Sequence, residues 1–280
     1  MNRLLAAGAI VFGSALGATD PAHAAAGAEA RIVDITYTLV DLDPADGIAP
    51  AFSFVNDPMV NRFRTELTVD VANSLLGTSD SAINANFSFI APLSLDRAVV
   101  GNQAHATSSP TDVSAWVLSE AKGHANAFSS AESNLLFTGD FGLQITPHTS
   151  ITISANAIVT AFDTGAAGAE DGGFEHAQAQ SWLRVRGGDP GDGSGPQDVL
   201  SLFVAQTNAD AVADTFDGSG AMTVSFSNLS AAPLAGYVSI RSTADALGVT
   251  PVPEPPAWAL ALVGLAGLAS LRRYRPRQSR

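Results

Sequence analysis

The most constraining stretch in the chain is Ser150 to Ala161. Ile151, Ile153, Ala155, Ala157, Val159 and Ala161 fall on one side of a period-two alternation. Ser150, Thr152, Ser154, Asn156 and Thr160 fall on the other, with Ile158 as the exception. Side chains of a strand point alternately to its two faces, whereas a helix repeats every three to four residues. The run therefore predicts a long strand with one face in a core and the other toward water.

Shorter runs repeat the pattern. Val33, Ile35, Tyr37 and Leu39 alternate with Asp34, Thr36 and Thr38, and Leu67 to Val71 alternates again. Val113, Ala115 and Val117 form another face, as do Met222, Val224 and Phe226. Strand signals also cover Asn84 to Leu95, Leu135 to Phe137, Ser181 to Val185, Val199 to Val204 and Tyr237 to Ile240. Gly, Pro, Asn and Asp punctuate these runs. Gly187 to Pro196 reads as a surface loop joining two strands. No long 3.6-period segment lies between the runs. Many short strands without crossover helices predict an all-β fold, a β-sandwich of either jelly-roll or immunoglobulin-like topology.

The two ends have a different character. Met1-Asn2-Arg3 is a short basic start, Leu4 to Ala18 is apolar, and Ala22-His23-Ala24 is an A-x-A site. This is the order of a secretory signal peptide, cut after Ala24 or one of the next two alanines. At the other end Pro253-Glu254-Pro255-Pro256 precedes the uncharged, Pro-free run Ala257 to Leu271. An Arg-rich tail containing Arg272, Arg273, Arg275 and Arg277 follows. Prolines hold the preceding chain extended, so a helix starts after them. Fifteen helical residues span about 22 Å at about 1.5 Å each. That is short of the usual bilayer crossing, but Trp258 suits one interface and snorkelling arginines the other. The expected organisation is a signal peptide over 1–24, a β-sandwich over 25–242 and a linker with the Pro-Glu-Pro motif over 243–256. A transmembrane helix over 257–271 and a basic cytoplasmic tail over 272–280 complete it.

This C-terminal order resembles the PEP-CTERM sorting signal of exopolysaccharide-producing Gram-negative bacteria. The resemblance covers about the last thirty residues. It implies recognition at Pro253, Glu254 and Pro255 by an exosortase, a membrane transpeptidase-like enzyme, and removal of the tail near that motif. It implies an inner-membrane intermediate, then delivery to the cell surface or extracellular matrix. On this resemblance these residues are an address read by the processing enzyme.

The terminal segments also mask the charge of what lies between them. The chain has 14 Lys and Arg against 27 Asp and Glu. Arg3 and the five C-terminal arginines sit in the signals, as do Asp20 and Glu254. Eight basic residues then face 25 acidic ones, a net charge of −17. That balance excludes a nucleic-acid partner, whose phosphates need a basic footprint. Cysteine is absent, which removes disulfides and thiol catalysis.

Asp41-Leu42-Asp43-Pro44-Ala45-Asp46-Gly47 places three carboxylates before a glycine. Asp41, Asp43 and Asp46 could supply oxygen ligands to calcium, although the spacing is not that of an EF-hand. The alternative is a polar turn whose Asp side chains cap backbone amides. Asp189, Asp192 and Asp198 form a second acidic group, and Glu170 to His176 a third. The histidines make no zinc pattern, no G-x-S-x-G elbow or phosphate loop is present, and no carboxylate pair stands out for glycoside hydrolysis. The expectation is a non-enzymatic structural or interaction protein of an exopolysaccharide or biofilm matrix, without a required cofactor. The alternative is a carbohydrate- or calcium-binding module, and a secreted hydrolase is less favoured.

Overall fold

The computed structural model describes residues 23–54, 64–73, 77–86, 92–122, 126–137, 143–165, 174–187, 197–208 and 212–249. All regular structure in them is β. The strands are β1 (His23–Asp41), β2 (Phe52–Phe54), β3 (Arg64–Asn73), β4 (Thr78–Asn86), β5 (Leu93–Val99), β6 (Asn102–Ser108) and β7 (Val113–Lys122). They continue with β8 (Asn126–Phe137), β9 (Leu143–Ile145), β10 (Thr149–Asp163), β11 (Phe174–Gly187), β12 (Gln197–Gln206), β13 (Thr215–Asn228) and β14 (Leu234–Val249).

Every pairing is antiparallel. One sheet runs β13-β10-β1-β7-β6-β5, and the other runs β12-β11-β14-β8-β3-β4 with β2 and β9 beside the start of β14. The two stack face to face: β12 over β13, β11 over β10 and β1, β14 over β1 and β7, β8 over β7 and β6. The architecture is sandwich-like, with inward side chains of both sheets meeting in one layer.

The expected strand at Ser150–Ala161 is the centre of β10, and its apolar side is buried throughout. Its other side is a hydroxyl ladder to β13: Ser150 meets Ser227 at 2.8 Å and Thr152 meets Ser225 at 3.0 Å. Such cross-strand pairs help fix register.

β1 begins earlier than the alternation from Val33 indicated. Ala24, Ala26, Ala28, Ala30 and Ile32 already face the core. Between Val33 and Thr36 the register shifts, and Asp34 takes a left-handed φ of 58°. An extra residue in a bulge switches which parity points inward, so Ile35, Tyr37 and Leu39 take over the inward side beyond it. Asp tolerates that backbone region better than most residues.

Other boundaries differ from expectation. β8 starts at Asn126, well before Leu135. The Asn84–Leu95 signal divides between the end of β4 and the start of β5. Thr243 to Val249, expected in a linker, continue β14 between β11 and β8. The reason is burial: Ala244 and Ala246 alternate inward from the face begun by Val238 and Ile240. No helix of the described residues is long and apolar enough to cross a membrane. The expected sorting helix at 257–271 lies outside those residues.

Candidate functional site

At one end of the fold three connections converge. The chain leaves β1 at Asp41 into the loop toward β2, β9 turns into β10 at Pro147-His148, and β13 returns to β14 past Ser230. His148 links all three. Its carbonyl accepts from Leu42 N at 2.7 Å and its own N donates to Ser230 O at 3.3 Å. Asn228 adds a side-chain bond to Thr146 O at 3.0 Å. His148 has a left-handed φ of 47°. For a non-glycine residue that conformation costs on the order of 1–3 kcal/mol and persists where surroundings impose it.

The imidazole Nδ1 lies 2.6 Å from Asp46 Oδ2 and 3.9 Å from Asp43 Oδ2. This hydrogen bond, followed by one from Ile48 N, holds the Asp46 carboxyl below the usual carboxylate range. Asp43, Asp46 and His148 each offer a ligand atom within 4.8 Å of the others. Asp41 does not join them. Its Oδ1 accepts from Asp43 N at 3.0 Å. Asp43 Oδ1 likewise accepts from Ala45 N at 3.2 Å, and Asp46 Oδ1 from Ile48 N at 2.6 Å. Three successive aspartates thus each cap an amide two residues on, the Asx-turn geometry of a polar loop. Calcium takes six to eight oxygens. A set of two carboxylates and an imidazole is closer to the preference of zinc or another transition metal. His148 was invisible as a partner in the sequence because 102 residues separate it from Asp46; the only local sign was a Pro-His turn before the longest alternating run.

Among the described residues, Asp198, Glu175 and His105 have structural partners. Asp198 receives two bonds from Arg184, at 2.8 and 2.6 Å, which hold its carboxyl low and pin the start of β12 to β11. Asp189 and Asp192 lie outside the described residues. Within Glu170–His176, Phe174 to His176 open β11, and the buried Glu175 carboxylate accepts from Thr164 N at 2.5 Å and Gly165 N at 3.0 Å. His105 pairs with Asp96 across β6 and β5. Pro253, Glu254, Pro255, Arg272, Arg273, Arg275 and Arg277 all lie outside the described residues.

Comparison with protein-family models, curated proteins and solved structures finds no match for this chain.

Proposed function

We propose that this chain is an exported, non-enzymatic protein, sorted by an exosortase through its C-terminal signal and retained as a structural or interaction component of an exopolysaccharide matrix. In this reading the two-sheet fold is a jelly-roll or immunoglobulin-like sandwich carried to the inner membrane by a helix over 257–271. The observation that carries it is the order Pro253-Glu254-Pro255, apolar run, arginine cluster at the C-terminus. The boundary of the fold is compatible with such processing. β14 ends at Val249, so a cut near the motif removes no described strand. At the other end, Ala25 exchanges hydrogen bonds with Thr164, its N donating to Oγ1 at 3.2 Å and its O accepting from N at 3.0 Å. Cleavage after Ala24 preserves both; cleavage after Ala26 removes them. Mass spectrometry of the surface form tests the proposal. A new N-terminus at Ala25 and a C-terminus close to Pro253 are expected, and an intact Arg-rich end on the surface protein overturns it.

A second reading, a metal-binding module, rests on the Asp43–Asp46–His148 convergence, whose donors suit zinc better than calcium. A ligand that binds only the folded state raises its melting temperature. An unchanged melting temperature both with zinc and in millimolar calcium removes this reading.

A further inference from the structure

The outward face of the eight-stranded sheet holds a cavity of about 210 Å³ between β8, β11 and β14. Register places its walls together: Thr243 pairs with Gln180 on one side and Glu132 on the other, Asp245 pairs with Ser130, and Trp182 pairs with Arg241. The Arg241 guanidinium lies 4.3 Å from the centre of the Trp182 ring and is ion-paired with Glu132. Its Nε is covered and has no acceptor. Asp245 is half-buried, and burial pushes its carboxyl above the usual range.

These features select a ligand. Arg241 and Glu132 cancel each other, so neither is free to recognise an ion. A phosphate or uronate would meet Glu132, Asp245 and a strongly acidic domain. A cation would have to displace Arg241 from Glu132. What remains is a hydroxyl-binding set: Thr243 and Gln180 each donate and accept, and the Asp245 carboxyl, already bonded by Ser130, accepts. Trp182 is half-buried beside them. Across the next ladder it pairs with Leu202, which with Leu200 and Val204 forms an exposed apolar strip on β12. A polar cradle next to an apolar shelf matches a molecule with hydroxyls around its rim and C–H groups on its face.

We propose that this cavity binds a neutral saccharide unit, with Gln180, Thr243 and Asp245 bonding its hydroxyls and the part of Trp182 that Arg241 leaves uncovered packing against its C–H groups. The ligand class is independent of the sorting reading, and the test uses the unprocessed chain so that failure of one leaves the other standing. The full chain is purified in a non-glycosidic detergent. It is titrated with neutral oligomers of glucose, mannose, galactose and N-acetylglucosamine and with an oligo-uronate, followed by saturation-transfer NMR and tryptophan fluorescence. Saturable binding of at least one neutral oligomer is expected. Trp182→Ala and Thr243→Val should each weaken it by about tenfold or more; the valine is nearly isosteric with threonine, so Thr243→Val keeps the test valid if Trp182→Ala does not fold. Absence of binding to every neutral oligomer overturns the proposal. So does binding that Thr243→Val leaves unchanged, or a preference for the uronate.

Discussion

The inter-sheet core has two halves built on different principles. Around the His148 end it is filled with bulk: Ile32, Ile35, Leu143, Ile145, Ile151, Ile153, Leu183, Met222, Phe226 and Ile240. Toward the other end it is lined mainly by alanine, among them Ala26, Ala28, Ala30, Ala104, Ala106, Ala131, Ala177, Ala179, Ala244 and Ala246. The long strands β1, β10, β11 and β14 run through both, and the β1 bulge lies where alanine gives way to isoleucine. Sheets packed through large side chains sit about 10 Å apart. Alanine-lined sheets can come closer, and the hydrogen bonds record it. Ser129 Oγ reaches Leu118 O at 2.8 Å and Ser133 Oγ reaches Thr107 O at 2.6 Å, each from one sheet to the other. Asn102 Nδ2 spans the same gap to Ala72 O at 2.9 Å. One half is held by the volume it fills. The other is held by close approach and by polar bonds that only close approach permits.

The sharpest test of the bulky half is Phe226→Ala. The ring lies on a glycine pair: a Cβ added at Gly187 or Gly236 would sit 2.8 or 2.9 Å from it. Losing a buried phenylalanine costs about 3–5 kcal/mol, and urea unfolding should show a loss of that size. If the loss is under about 1 kcal/mol, the bulky half is not filled by volume. The alanine half should fail in the opposite direction. Ala106→Leu or Ala179→Leu adds volume where both residues are fully buried. Overpacking costs typically about 1–3 kcal/mol. A neutral result in the same unfolding assay would show that the gap is wider than the inter-sheet bonds indicate.

Ser133→Ala probes those bonds directly, with a smaller effect. Its acceptor is a backbone carbonyl with a second lone pair, in the β6–β7 ladder. Removing the donor should cost about 0.5–1.5 kcal/mol and speed amide exchange in β6 and β8. Equal exchange in the variant and the parent would mean that the hydroxyl does not couple the sheets.

This division also explains what could be read in the chain. The bulky half was legible because Ile, Val, Phe and Met in alternation mark a strand face on sight. β10 and the later part of β1 were found that way. The alanine half was legible only where valine or leucine interrupts it, as at Leu67 to Val71 and at Val117, because alanine carries little strand signal. Ala24, Ala26, Ala28 and Ala30 look like the small residues at and after a signal-peptide cleavage site, and Ala244 and Ala246 look like a linker. β6, with Ala104 and Ala106 as its inward apolar residues, gave no signal at all. Asp43 and Asp46 were visible as a polar turn, but His148 belongs to a distant connection and only the pairing of β1 with β10 brings it there. Trp182 and Arg241 are adjacent only through the β11–β14 register, which no local pattern specifies.

The smallest predicted effect separates the halves by pH. Serine hydroxyls do not titrate in the accessible range, so Ser133→Ala should lower the melting temperature by the same amount at every pH. The bulky half ends in the Asp46–His148 pair, whose hydrogen bond depresses the Asp46 carboxyl below its ordinary value. A depressed acid contributes stability that is fully present above its ordinary carboxylate range and lost as pH falls through the lower folded-state value. Asp46→Asn removes that charge while its amide oxygen can still accept from Ile48 N. The variant should therefore melt slightly below the parent near neutral pH, and the two curves should converge under acid. The effect is small because the pair is close to solvent. A difference that persists undiminished at low pH would assign Asp46 to loop geometry alone. It would also mean that the connections at the bulky end are held, like the alanine half, by bonds that do not titrate.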